Sequence, residues 1–344
     1  MRQTDNRKEV IPVVILNWNG ENDTIECLRS IRRSAPAGFV PVLVDNGSET
    51  ASLERLKNAC SLIYSRILFL KQGDLSAPDK ARRDELTDHL GEDLMVFVEN
   101  AENLGFAKGS NVGIRLATIV GAKWVMLLNN DTIVSPDTFQ ELRNFVGNNP
   151  LVFAVTPQIR YYKPSTRIQN CGGMLTYFGS RRYICANMDA ALSPDTTHAF
   201  ITFVTGCALL FNHEITGPLT EDFFFGEEDY EFSLRMRERG LAMACAHQAI
   251  VYHKVGTSIT RASTPLGAIL VYYACRLINT RKYYSTIRWH ATRILAYLYL
   301  PVVLAKNGIN LRKSVFAARR VDSYIRNHRT MGSAEFRAMI ALNP

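Results

Sequence analysis

A chain of 344 residues, 47% hydrophobic and 21% charged, has an ordinary globular composition and, by length, room for about two domains. Its seven cysteines, at 27, 60, 171, 185, 207, 245 and 275, are odd in number and contain no Cys-x-x-Cys, which argues against a disulfide framework or a zinc site and favours a reducing compartment. The net charge of +8 is lopsided: Arg276 to Arg329 holds twelve Lys/Arg against one acid, Asp322, which points to a local anionic partner and away from a general nucleic-acid surface.

The polar start, Met1 to Glu9, has no secretory signal pattern, and no apolar run reaches the ~18–20 residues of a membrane span. Val10 to Leu16 (VIPVVIL) is a β-branched run and is expected to be the first strand. After the turn Asn17-Trp18-Asn19-Gly20, Asn22 or Asp23 caps a helix through Ser34. Val40 to Val44 is a second buried strand ending in Asp45-Asn46-Gly47-Ser48, followed by a helix from Ser52 to about Cys60. This β-α-β-α opening predicts an α/β fold with a mostly parallel sheet. Residues 61–93 form an elaboration with a short strand at Ile67 to Leu70 and a charge-laced helix at Asp79 to Leu90. Met95 to Val98 is a third strand, and Asn103 to Gly109 turns into a helix through Val120. Trp124 to Leu128 is a fourth, running straight into Asn129-Asn130-Asp131, with Ser135 capping a helix from Pro136. Val152 to Thr156 is a fifth strand. Beyond Pro157 come broken β stretches at Ile168 to Phe178 and Phe200 to Phe211, a helix from Glu227 to Arg239 stopped by Gly240, and two short strands, Leu241 to Ala246 and Ala249 to Tyr252. From Pro265 the chain is helical and basic.

Three constellations carry chemistry. Ligands of open α/β sheets bind at the carboxyl ends of the strands. There, Asn17, Asp45, Asn103 and Asn129 to Asp131 form a polar rim on strands expected to be neighbours. Asp131 can hold a hard cation, and the cation can hold phosphate. Asp45 can accept a hydrogen bond from a pyrimidine imide or a ribose hydroxyl. Gly105, Gly109 and Gly113 permit close backbone approach, but they follow the third strand, so this is neither a dinucleotide fingerprint nor a P-loop. The second constellation, Phe223 to Glu231, crowds acids and aromatics at a helix start. Aromatics beside carboxylates suit sugar rings, and apolar neighbours raise a carboxylate toward base strength. By helical spacing Asp229 falls with Phe225 and Phe232, whereas Glu228 falls with Glu231 and Arg235 and so positions an acceptor or pairs with Arg235. The third is His253, at a strand end, a candidate metal ligand.

The segments VVILNWNG, VLVDNGS, ENAENLGFAKGSNVGIR, WVMLLNNDTIV, TGCALLF, FFFGEEDYEFSLRMRERG and VYHKVGTS occur in family order over about residues 10–258, and together they resemble glycosyltransferase family 2. Within it the chain is similar to the rhamnosyltransferase-like and galactofuranosyltransferase-like enzymes of bacterial surface polysaccharides. The resemblance implies a GT-A fold and inverting transfer from a nucleotide-activated sugar. It assigns Asn17, Asp45, Asn103, Gly105, Lys108, Asn111, Asn129 and Asn130 to nucleotide-sugar binding, Asp131 and His253 to Mg2+ or Mn2+, and Glu228 and Asp229 to the acidic pair, with Asp229 as base. Two departures stand out: Asn129 replaces the first carboxylate of the metal motif, and residues 61–93 are long for the family.

The expected organisation is a GT-A domain over residues 1–260, with a nucleotide-sugar half at 1–156 and an acceptor half at 157–260, and a helical basic extension at 261–344. The expected donor is dTDP-rhamnose or a UDP-sugar and the expected acceptor a glycan or lipid-linked glycan. Ile294 to Ala305, apolar but interrupted by Pro301 and ringed by basic residues, suits either an anionic membrane surface or a helical pair packed on the core with a solvated basic face; lipid-linked acceptors in the family it resembles favour the first, a cytoplasmic protein peripheral on the inner face of the membrane. A nucleotidyltransferase is the rival enzyme, but Asn17 to Gly20 offers a triphosphate no cation. A catalytically silent glycan- or nucleotide-binding subunit is the rival outside enzymes.

Overall fold

The computed structural model describes residues 10–34, 38–76, 94–193, 198–254 and 264–342, with Arg83 and Leu86. The helix expected at Asp79 to Leu90 and the Val255 to Ser258 part of the VYHKVGTS segment lie outside the described residues apart from Arg83 and Leu86.

The strands in chain order are β1 (Ile11–Asn17), β2 (Phe39–Asp45), β3 (Arg66–Lys71), β4 (Leu94–Glu99), β5 (Trp124–Leu128), β6 (Thr132–Val134), β7 (Val152–Tyr161), β8 (Ile168–Asn170), β9 (Gly173–Leu175), β10 (Arg181–Tyr183), β11 (His198–Ile201), β12 (Ala208–Asn212) and β13 (Ala242–His253). The helices are α1 (Glu21–Ser34), α2 (Thr50–Ile63), α3 (Phe106–Ile119), α4 (Thr138–Asn148), the single turn α5 (His213–Thr216), α6 (Glu228–Glu238), α7 (Pro265–Tyr283), α8 (Thr286–Lys306), α9 (Leu311–Asn327) and α10 (Ser333–Ile340).

The main sheet runs β11-β13-β7-β12-β5-β1-β2-β4-β3, with β6 beside β13 and β8 beside β7. From β5 to β3 every pairing is parallel. β12 enters antiparallel between β5 and β7, and β7 and β13 are parallel again. The result is a mostly parallel central sheet flanked by helices, with α7–α10 as a C-terminal helical region. β1, β2, β4 and β5 are apolar almost without interruption because both faces are covered. Val14, Val42, Val96 and Leu127 pack into one layer, while Val13, Leu43, Phe97 and Met126 pack into the other, as the two-residue period of a strand requires. On the first face α3 lies tight against β1. A Cβ on Gly113 would sit 2.6 Å from Val14 Cγ1, so glycine there serves helix-to-sheet packing and not, as the sequence suggested, approach to a ligand.

Other boundaries also move. The short strand foreseen at Ile67 to Leu70 is the sheet edge β3. The strand foreseen to end at Thr156 continues to Tyr161. The two strands expected between Leu241 and Tyr252 are one, β13, with a register shift between Ala246 and Ile250. The three-residue β6, which periodicity does not reveal, occupies the turn after Asp131, so the following helix begins at Thr138 and not at Pro136. Pro301 does not interrupt the apolar stretch: α8 runs through it for 21 residues. Among the described residues no helix is long and apolar enough to cross a membrane. α7–α10 bury their own core, Leu270, Ala274, Leu300, Leu304, Val321 and Ile325 among it, which also takes in Phe223.

Candidate active site

The strand ends meet as a hydrogen-bonded rim. Asn17, fully buried at the end of β1, donates to Asp45 Oδ1 at 2.8 Å and accepts from Thr24 Oγ1 at 2.8 Å. Ser48 donates to both Asp45 oxygens, through Oγ at 2.7 Å and its backbone N–H at 3.0 Å. Asn130 Nδ2 reaches Thr24 Oγ1 at 3.0 Å. On the other flank Asn46 donates to Asn103 Oδ1 and accepts from Asn100 and the Leu104 N–H. Thr24, Asn46 and Ser48 were not singled out in the sequence, yet they are the nodes that join the strand-end residues.

This rim borders a cavity of about 270 Å³. Asn103, Gly105, Asn129, Asn130, Asp131 and His253 line it, together with Trp18, Asn46, Ser110, Phe224 and Phe225. Phe336 and Ile340 of α10 close it from the C-terminal region. Phe336 packs its ring 5.3 Å from Phe224 and 6.0 Å from Phe225. The buried hydroxyl of Ser110 has no hydrogen-bond partner among the described residues. Asn17, Asp45, Lys108, Asn111, Glu228 and Asp229 are not part of the lining. Lys108 is exposed. Asn111 ties α3 to the chain at Leu219, accepting from its N–H and donating to its C=O, both at 3.0 Å.

Gly105 marks the hinge between the rim and the aromatic wall. Its φ of +85° is left-handed, and a Cβ there would fall 2.1 Å from the Phe224 carbonyl oxygen. That same oxygen accepts the Phe106 N–H at 2.9 Å, so the start of α3 is fastened to the Phe triplet. Of that triplet only Phe224 and Phe225 are partly open; Phe223 is buried in the C-terminal core.

β6 explains the metal candidates. Its antiparallel register pairs Thr132 with His253, and the Lys254 N–H reaches the Asp131 carbonyl at 3.0 Å. His253 Nε2 therefore lies 3.3 Å from Asp131 Oδ1, while His253 Nδ1 meets Gln169 Oε1 of β8 at 3.0 Å. Burial disfavours the charged imidazole, but the Cys207 sulfur and the Asp131 carboxylate outweigh it and push His253 up to about 11. A carboxylate and an imidazole held at its far nitrogen by the Gln169 amide suit a divalent cation that displaces the imidazolium proton on binding and takes its remaining ligands from phosphate and water.

The acidic cluster sits at the N-terminus of α6. Asp229 Oδ2 accepts the Gly206 N–H at 3.2 Å, and the next residue, Cys207, accepts the Asn129 N–H at 2.8 Å through its carbonyl. Asp229 is thus anchored to the loop that also holds the end of β5. Arg181, which sequence reasoning missed, lies 3.8 Å from Asp229 and donates to Glu227 at 2.6 Å. Its guanidinium packs between the rings of Phe203 and Tyr272, 5.1 and 4.9 Å away. Glu227, also missed, adopts left-handed backbone at φ 66° and is held by Arg181, Arg276 and an Asn279 side-chain donor. Glu228 does not pair with Arg235 as the helical spacing suggested. Arg235 bonds Glu231 one turn back, at 3.3 Å, and the carbonyls of Thr216 and Pro218. Glu228 is buried, its Oε2 unpartnered among the described residues, and burial, helped by the Asp229 charge, pushes it up to about 8.

Comparison with known proteins brings family and fold into view. The family described as glycosyltransferase like family 2 matches residues 83–266, more than half of the chain. No curated protein matches. The structure of the mannosyltransferase PcManGT from Pyrobaculum calidifontis in complex with GDP-Man and Mn2+ is similar over 90% of this chain and 73% of its own, with 14% identity and a TM-score of 0.50. That of S. aureus TarS 1–349 in complex with UDP-GlcNAc is similar over 96% of this chain and 90% of its own, with 12% identity and a TM-score of 0.51. At such identities the likeness is one of fold, and the architecture is GT-A-like.

Proposed function

This chain belongs to the glycosyltransferase like family 2 and is a nucleotide-sugar-dependent glycosyltransferase, and we propose that it is an inverting enzyme that binds its donor in the cavity at the ends of β1, β2, β4 and β5. The observation that carries this reading is the convergence of Asp131 and His253, from different strands, at the wall of a cavity with a polar rim and an aromatic side. Residues 1–156 supply the donor half, 157–260 the acceptor half and 261–344 the extension that lends Phe336 and Ile340 to the donor cavity.

In this reading Trp18, 48% exposed at the cavity edge, offers a face for the nucleobase, and Asn103, Asn129, Asn130 and Ser110 offer polar contacts to the sugar and phosphates. Asp131 and His253 would hold Mg2+ or Mn2+, which when bound neutralises the departing diphosphate. Asp229 takes the proton from the acceptor hydroxyl as its oxygen attacks the anomeric carbon, with the Gly206 N–H and Arg181 fixing the carboxylate. Glu228, buried behind Asp229 and held toward its neutral form by that burial, adds no second full charge beside the base. Phe224 and Phe225 exclude water from the transferring sugar. The relatives with GDP-Man and UDP-GlcNAc support a nucleotide-diphosphate sugar; the motif pattern favours dTDP-rhamnose or a UDP-sugar and a surface-glycan acceptor.

Membrane attachment belongs to the same proposal. α8 exposes Ile287, Ile294, Leu298 and Val302, which recur on one helical face, and α9 exposes Leu311 and Phe316. Lys306, Arg312, Lys313, Arg319 and Arg320 are exposed beside them, whereas Arg276, Arg281 and Arg293 are spent on internal partners. Apolar area with clustered cations suits an anionic bilayer holding a lipid-linked acceptor. The test of the donor site is calorimetry with UDP, dTDP and GDP, with and without Mn2+. Wild type is expected to bind one of them in a metal-dependent way and Asp131→Ala to lose the dependence; a metal dependence unchanged in Asp131→Ala refutes the assignment.

A further inference from the structure

Away from the donor cavity lining, two thiols and an imidazole from distant parts of the chain come together in the core. One ligand atom each from Cys171, Cys245 and His247 lies within 4.8 Å of the other two. All three residues are buried, at 0%, 0% and 6% exposure. Cys245 and His247 are two apart on β13, and His247 lies within the strand's register shift between Ala246 and Ile250. Cys171 is carried in by β8, which pairs with β7 through Ile159 and Asn170, while β7 pairs with β13 through Thr156 and Cys245. A fourth group is adjacent. The Cys171 N–H donates to the Ile184 carbonyl at 2.9 Å and the Ile184 N–H to the Gly172 carbonyl at 3.0 Å, which brings the Cys185 thiol against Cys171. Cys185 itself holds a φ of 55°, a backbone conformation uncommon for a side chain of its kind.

We infer that Cys171, Cys185, Cys245 and His247 form a structural Zn2+ site. Tetrahedral zinc with sulfur at ~2.3 Å and nitrogen at ~2.0–2.1 Å sets its ligand atoms roughly 3.5–4 Å apart; Cys171, Cys245 and His247, mutually within 4.8 Å, reach that by side-chain adjustment, and Cys185, outside that group but against Cys171, turns further to complete the set. Three thiolates and one imidazole are a soft donor set that selects zinc over the hard cations suited to Asp131. Binding replaces the thiol protons, which pass to solvent, and leaves the site with one net negative charge. Arg160, whose Nε donates to Gln158 Oε1 at 2.6 Å, places a cation near Cys171 to offset it. The convergence of His247 with the two sulfurs supplies a nitrogen donor beside two thiols, which a metal uses and a Cys171–Cys245 disulfide does not. All seven cysteines are free thiols in the structure.

The site has a mechanical role. β8 also carries Gln169, two residues before Cys171, and Gln169 orients His253. A zinc clip between the end of β8 and the middle of β13 fixes the two strands whose side chains make that contact.

The test reads metal content and is independent of glycosyl transfer. Full-length protein purified under reducing conditions without chelator is analysed by inductively coupled plasma mass spectrometry. About one zinc per chain is expected in wild type and in Asp131→Ala, with loss of most of it in Cys171→Ser and His247→Gln. Should those variants fail to fold, wild-type protein stripped by chelator and titrated with Co2+ decides: the intense absorption of thiolate-bound tetrahedral cobalt is expected. The inference is overturned by folded wild type that holds no zinc and gives no cobalt–thiolate band. Zinc that leaves with Asp131→Ala but stays in Cys171→Ser, or a Cys171–Cys245 disulfide found by mass spectrometry, also overturns it.

Discussion

Replacing Glu228 with glutamine removes a buried acid while keeping its shape, and its effect on stability is expected to depend on pH. In the unfolded chain this carboxyl titrates near 4.5; in the fold burial and the Asp229 charge raise it to about 8. A raised folded value means that the native state binds the proton more tightly. The stabilisation is therefore complete below about 4.5 and is lost as pH climbs through about 8. The 3.5 units between those values, at about 1.36 kcal/mol each, correspond to roughly 5 kcal/mol at full ionisation. With an unfolding entropy of about 2.1 cal/mol/K per residue, a chain this long melts about 1.4 °C lower for each kcal/mol lost, so the shift is on the order of 7 °C. Thermal melts of wild type and Glu228→Gln, followed by tryptophan fluorescence from pH 5 to pH 9, read this difference directly. Near pH 5 the two are expected to melt within a degree or two of each other. Toward pH 9 the variant is expected to be the more stable by several degrees. Parallel curves across that range would refute the claim that Glu228 is held neutral in the fold.

Asp229→Asn is expected to lower kcat by about 10²–10⁴ with donor affinity nearly intact, measured as nucleotide release with acceptor present. A near wild-type rate, with Glu228→Gln inactive, would exchange the roles of the two acids. Gly105→Ala is expected to destabilise the fold by more than about 3 kcal/mol in urea titrations, because the new methyl meets a backbone oxygen in a region where L side chains are already strained. In vesicle flotation, wild type is expected to rise with anionic but not neutral liposomes and to detach with salt, each exposed cation near the surface contributing about 1 kcal/mol. Leu298→Glu combined with Phe316→Glu should abolish that binding; equal recovery with neutral and anionic vesicles would argue against the surface.

Much of the parallel part of the sheet was legible because the information is local. Five apolar residues running into Asn129-Asn130-Asp131 declare a buried strand and its end without reference to the rest of the chain. The same holds for the strand that ends at Asp45 and for the helix after Gly105. The parts that escaped are set by distant pairings. A three-residue strand such as β6 is too short for any period, yet its register against β13 is what brings His253 to Asp131. Arg181 stands in a stretch with no pattern of its own and gains meaning only when Glu227 and Asp229 arrive opposite it. Spacing offered Glu228 either an acceptor or Arg235 as partner, but Arg235 has a nearer acid one turn away and two carbonyls in reach. Cysteine arithmetic looked for ligands close in sequence, whereas Cys171 and Cys245 meet only because β7 lies between their strands.

The contact of α10 with the aromatic wall has a bearing on how the enzyme is made. The donor cavity is framed mainly by residues before 254, but its closing side is Phe336 and Ile340, and the Phe224 N–H is bonded to the Met331 carbonyl at 2.8 Å. Under the proposed function, a chain ending before residue 333 would retain Asp131, Asp229 and His253 yet leave the cavity open on the side that Phe336 and Ile340 close, so the docking of α10 is the step that completes its wall.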